Sequence, residues 1–217
     1  MNDTMLRLLD VIGTVVFAIS GATLGVRRRM DLFGVLVLAC VTATAGGVMR
    51  DLLVGATPPF AIAHWRPLTI AASAGLVTFY FEPIIGRLKS PVQVFDAAGL
   101  GVFAVAGTQK ALDYDLSFGS SVLLGVISAI GGGVVRDLMT AQVPNVLRAE
   151  IYAVAALTAS VIIAGAHQLQ LRSTAVVPVA VAACFLLRLV AIRRAWHLPA
   201  SRHAPRDPPP STGGPAT

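Results

Sequence analysis

Gly46-Gly47-Val48-Met49-Arg50-Asp51-Leu52 returns 86 residues later as Gly132-Gly133-Val134-Val135-Arg136-Asp137-Leu138. The match extends outward at the same offset. Asp10 and Gly13 align with Asp96 and Gly99, Phe17 with Phe103, Gly21 with Gly107 and Pro58 with Pro144. About 15 of the 51 positions between Asp10 and Phe60 are identical to their partners. An apolar composition explains chance matches of Gly, Ala, Val and Leu. It does not explain Asp, Arg-Asp and Pro falling in register, so the chain reads as an internal repeat.

The repeat is embedded in apolar sequence. Of 217 residues, 55% are hydrophobic and 13% charged, against about 25% charged in an ordinary soluble domain. Mean hydropathy is +0.75. A water-soluble fold lacks the polar surface to cover itself. Collagen is excluded because the 20 Gly and 13 Pro show no G-X-Y period, and disorder is excluded by the aliphatic content. The expectation is an all-α membrane protein. Apolar runs cover about 8–26, 32–55, 67–81, 92–112, 116–141, 149–166 and 174–192, and the chain has room for about seven helical spans of ~20 residues plus short loops. A loop is expected over about 82–91. The expected domain is transmembrane over 1–195, with repeat one at about 6–85, repeat two at about 92–167 and a seventh helix at about 174–192. The Pro-, Ser- and Gly-rich stretch 196–217 reads as a disordered cytoplasmic tail.

Three spans per repeat is an odd number, so the second copy enters the membrane in the opposite direction. The expected fold is therefore seven transmembrane helices as two inverted three-helix repeats plus a seventh helix, a layout of membrane transport proteins with the pathway near the midplane. Ten Lys/Arg fall on one side (Arg27, Arg28, Arg29, Arg87, Lys89, Arg148, Arg193, Arg194, Arg202, Arg206) and four on the other (Arg7, Arg66, Lys110, Arg172). This places the N-terminus outside and the C-terminus in the cytoplasm of a cell (inner) membrane. The same placement accounts for the net charge of +6 without nucleic acid as a partner. Cys40 and Cys184 lie inside apolar runs and read as small buried hydrophobes. No CxxC, His cluster or nucleophile–base pair appears, so neither an enzyme nor a cofactor or metal site is expected.

Paired glycines weaken a helix, and freed carbonyls are tolerated at membrane depth only beside protein or water. Gly46, Gly47, Gly132 and Gly133 therefore read as a helix break beside a polar route. Arg50, Asp51, Arg136 and Asp137 cost about 2.5–3.5 kcal/mol each near mid-span, so they face protein or water, as pins between helices or as lining of an ion route. Adjacent residues point about 100° apart on a helix, which argues against a pair between Arg50 and Asp51. Thr42, Thr44 and Ser128 are candidate pore hydroxyls, with back-bonding to their own helix as the alternative. Asp10 and Asp96 read as favourable charges at helix N-termini. Trp65 and Tyr80 read as interfacial anchors.

The doubled Gly-Gly-Val-x-Arg-Asp-Leu motif, followed by Pro on three-helix repeats with a seventh helix, resembles the prokaryotic TRIC (trimeric intracellular cation) channel family, also known as the glycine transporter domain family. The resemblance covers about 6–194. It implies a potassium- and sodium-permeable channel, a homotrimer with one hourglass pore per protomer, helices kinked at Gly46-Gly47 and Gly132-Gly133, and closely associated membrane lipids. A secondary transporter of a small solute such as glycine is the alternative. The lysine-containing phosphoinositide motif of animal members is replaced here by Val48-Met49 and Val134-Val135.

Overall fold

The computed structural model describes residues 3–85, 90–148, 151–171 and 173–194. Among them all regular structure is helical: α1 (Asp3–Arg27), α2 (Leu32–Leu53), α3 (Phe60–Ala63), α4 (Arg66–Ile85), α5 (Pro91–Asp113), α6 (Phe118–Met139), α7 (Asn145–Arg148), α8 (Ile151–Gln168) and α9 (Ser173–Arg194). Six of these, α1, α2, α5, α6, α8 and α9, are long and apolar enough to cross a membrane. Helix α4, 20 residues long, packs beside α1 and α2. Two features depart from the sequence reading. Of the loop expected over 82–91, the first residues belong to α4, which continues to Ile85, and Pro91, a favoured first-turn residue, opens α5; residues 86–89 lie outside the described residues. The four-residue helices α3 and α7 were too short to show a period. The tail expected at 196–217 lies outside the described residues.

Local structure repeats along with the sequence. Asp31 caps α2, its carboxylate accepting from Gly34 N at 2.7 Å, and Ser117 caps α6 by accepting from Ser120 N at 3.4 Å. Past α1 and α5, Arg29 and Asp115 take φ of 57° and 56°; past α2 and α6, Gly55 and Ala141 take 74° and 53°. These are left-handed helix terminators. Beyond them the register slips by one. Asp51 accepts from Phe60 N at the start of α3, and Asp137 from Asn145 N at the start of α7, an offset of 85 rather than the 86 that the sequence alone extends to Phe60.

Packing is reciprocal. Helix α1 packs on α2 and α4 as α5 packs on α6 and α8, and α2 meets α4 as α6 meets α8. Between the halves, Phe17 lies against Gly99 while Phe103 lies against Gly13, and the two rings stack at 5.4 Å. Gly46 abuts the carbonyl of Ser128, and Gly132 abuts the carbonyl of Thr42. Four residues forward on α2 is thus four residues back on α6, so the two motif helices cross antiparallel. Phe17, Phe103, Val35, Leu100 and Ala104 lie in the shared core. Helix α9 stands outside the pattern, seated on α5 and α8.

Candidate functional site

The expected helix break is absent. Helix α2 runs uninterrupted through Gly46 and Gly47, and α6 through Gly132 and Gly133. The helix survives because the glycines serve its neighbours. A methyl group on Gly46 would land on the Ser128 carbonyl, and one on Gly132 on the Thr42 carbonyl, so both positions must be bare for the backbones to cross. The second glycine of each pair behaves differently. Gly133 makes room for the Tyr152 hydroxyl and Asp96, 2.7 and 3.0 Å from where a Cβ would sit, whereas a Cβ on Gly47 would meet nothing closer than 3.8 Å.

One turn past the crossing, each arginine is buried and bonded to carboxylates. Arg50 donates from Nη1 to Asp10 Oδ1 and from Nε to Asp51 Oδ1, both at 2.9 Å. Arg136 donates from Nη1 to Asp96 Oδ1 at 2.5 Å and from Nε to Asp137 Oδ1 at 2.9 Å. The pair between neighbours that helix geometry argued against therefore forms in both copies: the long guanidinium folds back to reach an adjacent carboxylate. Asp10 and Asp96 are likewise not simple helix N-terminal charges. Each lies 40 residues before its arginine and pairs with it. That identical spacing was present in the sequence and was the signal for the pairing. Arg50, Asp51, Arg136 and Asp137 are all at most 3% exposed, so none meets lipid.

The two clusters differ in their additional partners. Lys110 of α5 donates to Asp51 Oδ1 at 2.6 Å, tying the halves together and giving the first cluster two cations for two carboxylates. Lys110 thus has a bonding partner beyond its expected topological role. The second cluster is closed by Ser20, whose hydroxyl lies 2.7 Å from Arg136 Nη1, and by Tyr152. Arg188 of α9 stacks on the Tyr152 ring at 4.7 Å. Exposure follows this difference. The Asp10 and Lys110 side chains are 22% and 15% exposed, while the Asp96 and Arg136 side chains are 3% and 0% exposed.

Of the candidate hydroxyls, Thr42 donates to Leu38 O at 2.6 Å and Thr44 to Cys40 O at 2.8 Å, the back-bonding alternative. Ser128 is fully buried at the α2–α6 crossing, and its hydroxyl makes no hydrogen bond among the described residues. Trp65 and Tyr80 are well exposed on the outer surface. No group of three or more His, Cys, Asp or Glu able to hold a metal occurs among the described residues.

This architecture has known relatives. The family model described as glycine transporter matches twice, over residues 7–83 and 93–168, so the two matched stretches start at the same 86-residue offset. A UPF0126 membrane protein of Vibrio cholerae is 39% identical over 199 residues, 91% of this chain and 82% of that protein. The UPF0126 inner membrane protein YadS of Escherichia coli is 39% identical over 88% of this chain and 92% of its own length. Among solved structures, the TRIC trimeric intracellular cation channel orthologue from Rhodobacter sphaeroides superposes with a TM-score of 0.85, at 31% identity over 89% of this chain and all of that one. A structure reported for conductance through TRIC cation channels gives 0.80 at 37% identity, covering 90% and 97%. With both halves matched and at least 82% of each of these relatives' length covered, the chain belongs to the glycine transporter family, the membrane-protein family of the TRIC channels.

Proposed function

We propose that the protein is a monovalent cation channel, permeable to potassium and sodium, with one pathway per protomer of a homotrimer. The observation that carries this reading is the α2–α6 crossing. Two glycine-cleared helices meet antiparallel there, with helix carbonyls of Thr42 and Ser128 and the free Ser128 hydroxyl at the contact, and one Arg-Asp cluster beyond it on each helix. Oxygen ligands at a constriction, flanked by charge on both sides, suit a small hard cation. In the described state the crossing is shut, and conduction requires α2 and α6 to part at Gly46 and Gly132. The reciprocal contacts and the twofold family match support two inverted three-helix repeats, α1–α4 and α5–α8, with α4 as a span and α9 as the seventh helix. The Lys/Arg bias supports an outside N-terminus and a cytoplasmic C-terminus. Membrane lipids surround the assembly.

The description of the matched family favours one other reading, a saturable carrier of glycine. Reconstitution separates the two. A channel gives discrete unitary currents in planar bilayers under potassium chloride and no glycine counterflow in liposomes. A carrier gives saturable counterflow and no unitary current.

A further inference from the structure

Water reaches the two Arg-Asp clusters unequally. Asp10 and Lys110 of the first are part-exposed, whereas Asp96 and Arg136 of the second are sealed. The glycine beside each cluster follows the same division, Gly47 being half-buried and Gly133 buried. The two copies of the motif differ in what lies over that glycine. At Gly133 the Tyr152 hydroxyl stands 2.7 Å from where a Cβ would sit, while at Gly47 the space is clear to 3.8 Å. In the 85-residue register set by α3 and α7, the counterpart of Tyr152 is Pro67, whose ring is too short to reach as far.

Tyr152 is the second residue of α8 and is 1% exposed. Its hydroxyl makes no aligned hydrogen bond among the described residues. The ring is held instead by Arg188 of α9, whose guanidinium lies 4.7 Å from the ring centroid, a cation over a π-face. Arg188 is buried too, and its Nε has no hydrogen-bond partner among the described residues. Gly133 and Arg188 each lie six residues before the end of their helices, Met139 and Arg194. Consecutive long helices reverse direction, so α6 and α9 run the same way and both residues sit about 9 Å from the same face. A buried charge on a membrane helix serves a partner inside the protein, and here that partner is the ring. Helix α9 stands outside the repeat, so the first cluster has no equivalent of this stack. We infer that Tyr152 is a gate at the second-cluster end of the path, the cytoplasmic end in the orientation proposed above, and that Arg188 is the positioning residue that holds it shut. The inference rests on the channel reading and adds a second barrier in series with the α2–α6 crossing. Rotation of Tyr152 away from Gly133 takes the ring off Arg188 and clears the space that already stands open at Gly47. Removing the stack shifts the equilibrium toward that open state.

Tyr152→Leu and Arg188→Met are recorded in planar bilayers beside Tyr152→Phe and Arg188→Lys, which keep a ring and a cation. The expected result is a rise in open probability of about threefold or more in the first two, the scale of a lost buried cation–π contact. Unitary conductance and reversal potential stay at wild type, and the conservative pair gates like wild type. A packing role would lower trimer yield and current without raising open probability. In parallel, Ser20→Cys, beside Arg136, is made with Cys40→Ala and Cys184→Ala, and its reaction with silver ion is timed in detergent. The thiol is expected to be protected while Tyr152 is present and to react once Tyr152→Leu is added, whatever solute the protein carries. Equal reaction rates with and without Tyr152→Leu would overturn the inference. So would unchanged open probability in both Tyr152→Leu and Arg188→Met, or loss of folded trimer in both, which would make the ring indispensable packing. Faster thiol reaction with no unitary current from any variant, wild type included, would keep the gate and overturn the channel reading.

Discussion

Gly46 of α2 stands so close to the carbonyl of Ser128 on α6 that a methyl group could not be added without moving one of the two backbones. Gly132 holds the same relation to Thr42, while Gly47 has space around it. Gly46→Ala and Gly132→Ala are therefore expected to lower thermal stability, each by about 1–3 kcal/mol from overpacking, and to change unitary conductance. Gly47→Ala should leave conductance near wild type and raise stability by up to about 1 kcal/mol, the helix-propensity gain of an interior Gly→Ala change with space around it. Thermal unfolding in detergent alongside bilayer recording checks the contrast. Equal effects at Gly46 and Gly47 would remove the crossing from the explanation.

Charge neutralisation should act unequally on the two clusters. Asp51 Oδ1 receives both Arg50 and Lys110, so Asp51→Asn leaves a local positive excess. It is expected to lower cation-over-anion preference more than Asp137→Asn, whose arginine keeps Asp96. Lys110→Met should shift the preference the opposite way. Reversal potentials under a potassium chloride gradient give the order directly.

Removing Arg136 strands Asp96 and Asp137 in a site that is at most 4% exposed. Arg136→Leu is expected to cost about 3–5 kcal/mol, the usual penalty for breaking a buried pair, and to reduce the yield of folded protein. Adding Asp96→Asn should recover part of the loss, because one uncompensated charge is then gone. Fluorescence size-exclusion yields of the single and double variants measure this coupling.

Ala141 occupies a left-handed conformation, φ 53°, at the position where the first repeat has Gly55. Ala141→Gly is expected to stabilise the protein by about 1 kcal/mol, with conductance unchanged. A melting temperature that falls would contradict the assigned backbone.

Orientation is open to thiol labelling. A cysteine at His64, in the α3–α4 connection, should react with an impermeant maleimide from outside intact cells, and one at Arg29, after α1, only after permeabilisation. The reverse pattern would invert the topology.

The membrane class, the repeat and the long helices were legible because hydrophobic length and a constant offset are one-dimensional signals. The work of the glycines was not. A glycine that opens a helix and one that admits a neighbouring backbone look alike until Ser128 and Thr42 are placed against them. The partners of Arg50 and Arg136 were half-legible. Asp10 and Asp96 stood at the same distance before each arginine, but closeness to a helix start offered a simpler local account. Lys110 and Arg188, which have no counterpart in the other half, could not be found by comparing the halves and needed the packing of α5 and α9.

The central claim is that cations pass where α2 crosses α6. It is tested most directly by Ser128→Cys in a background with Cys40→Ala and Cys184→Ala, exposed to a small cationic methanethiosulfonate during single-channel recording. Stepwise loss of current as the thiol at the crossing reacts is the predicted result. Full-sized currents that persist after mass spectrometry shows complete modification of the introduced thiol in the recorded protein would contradict it.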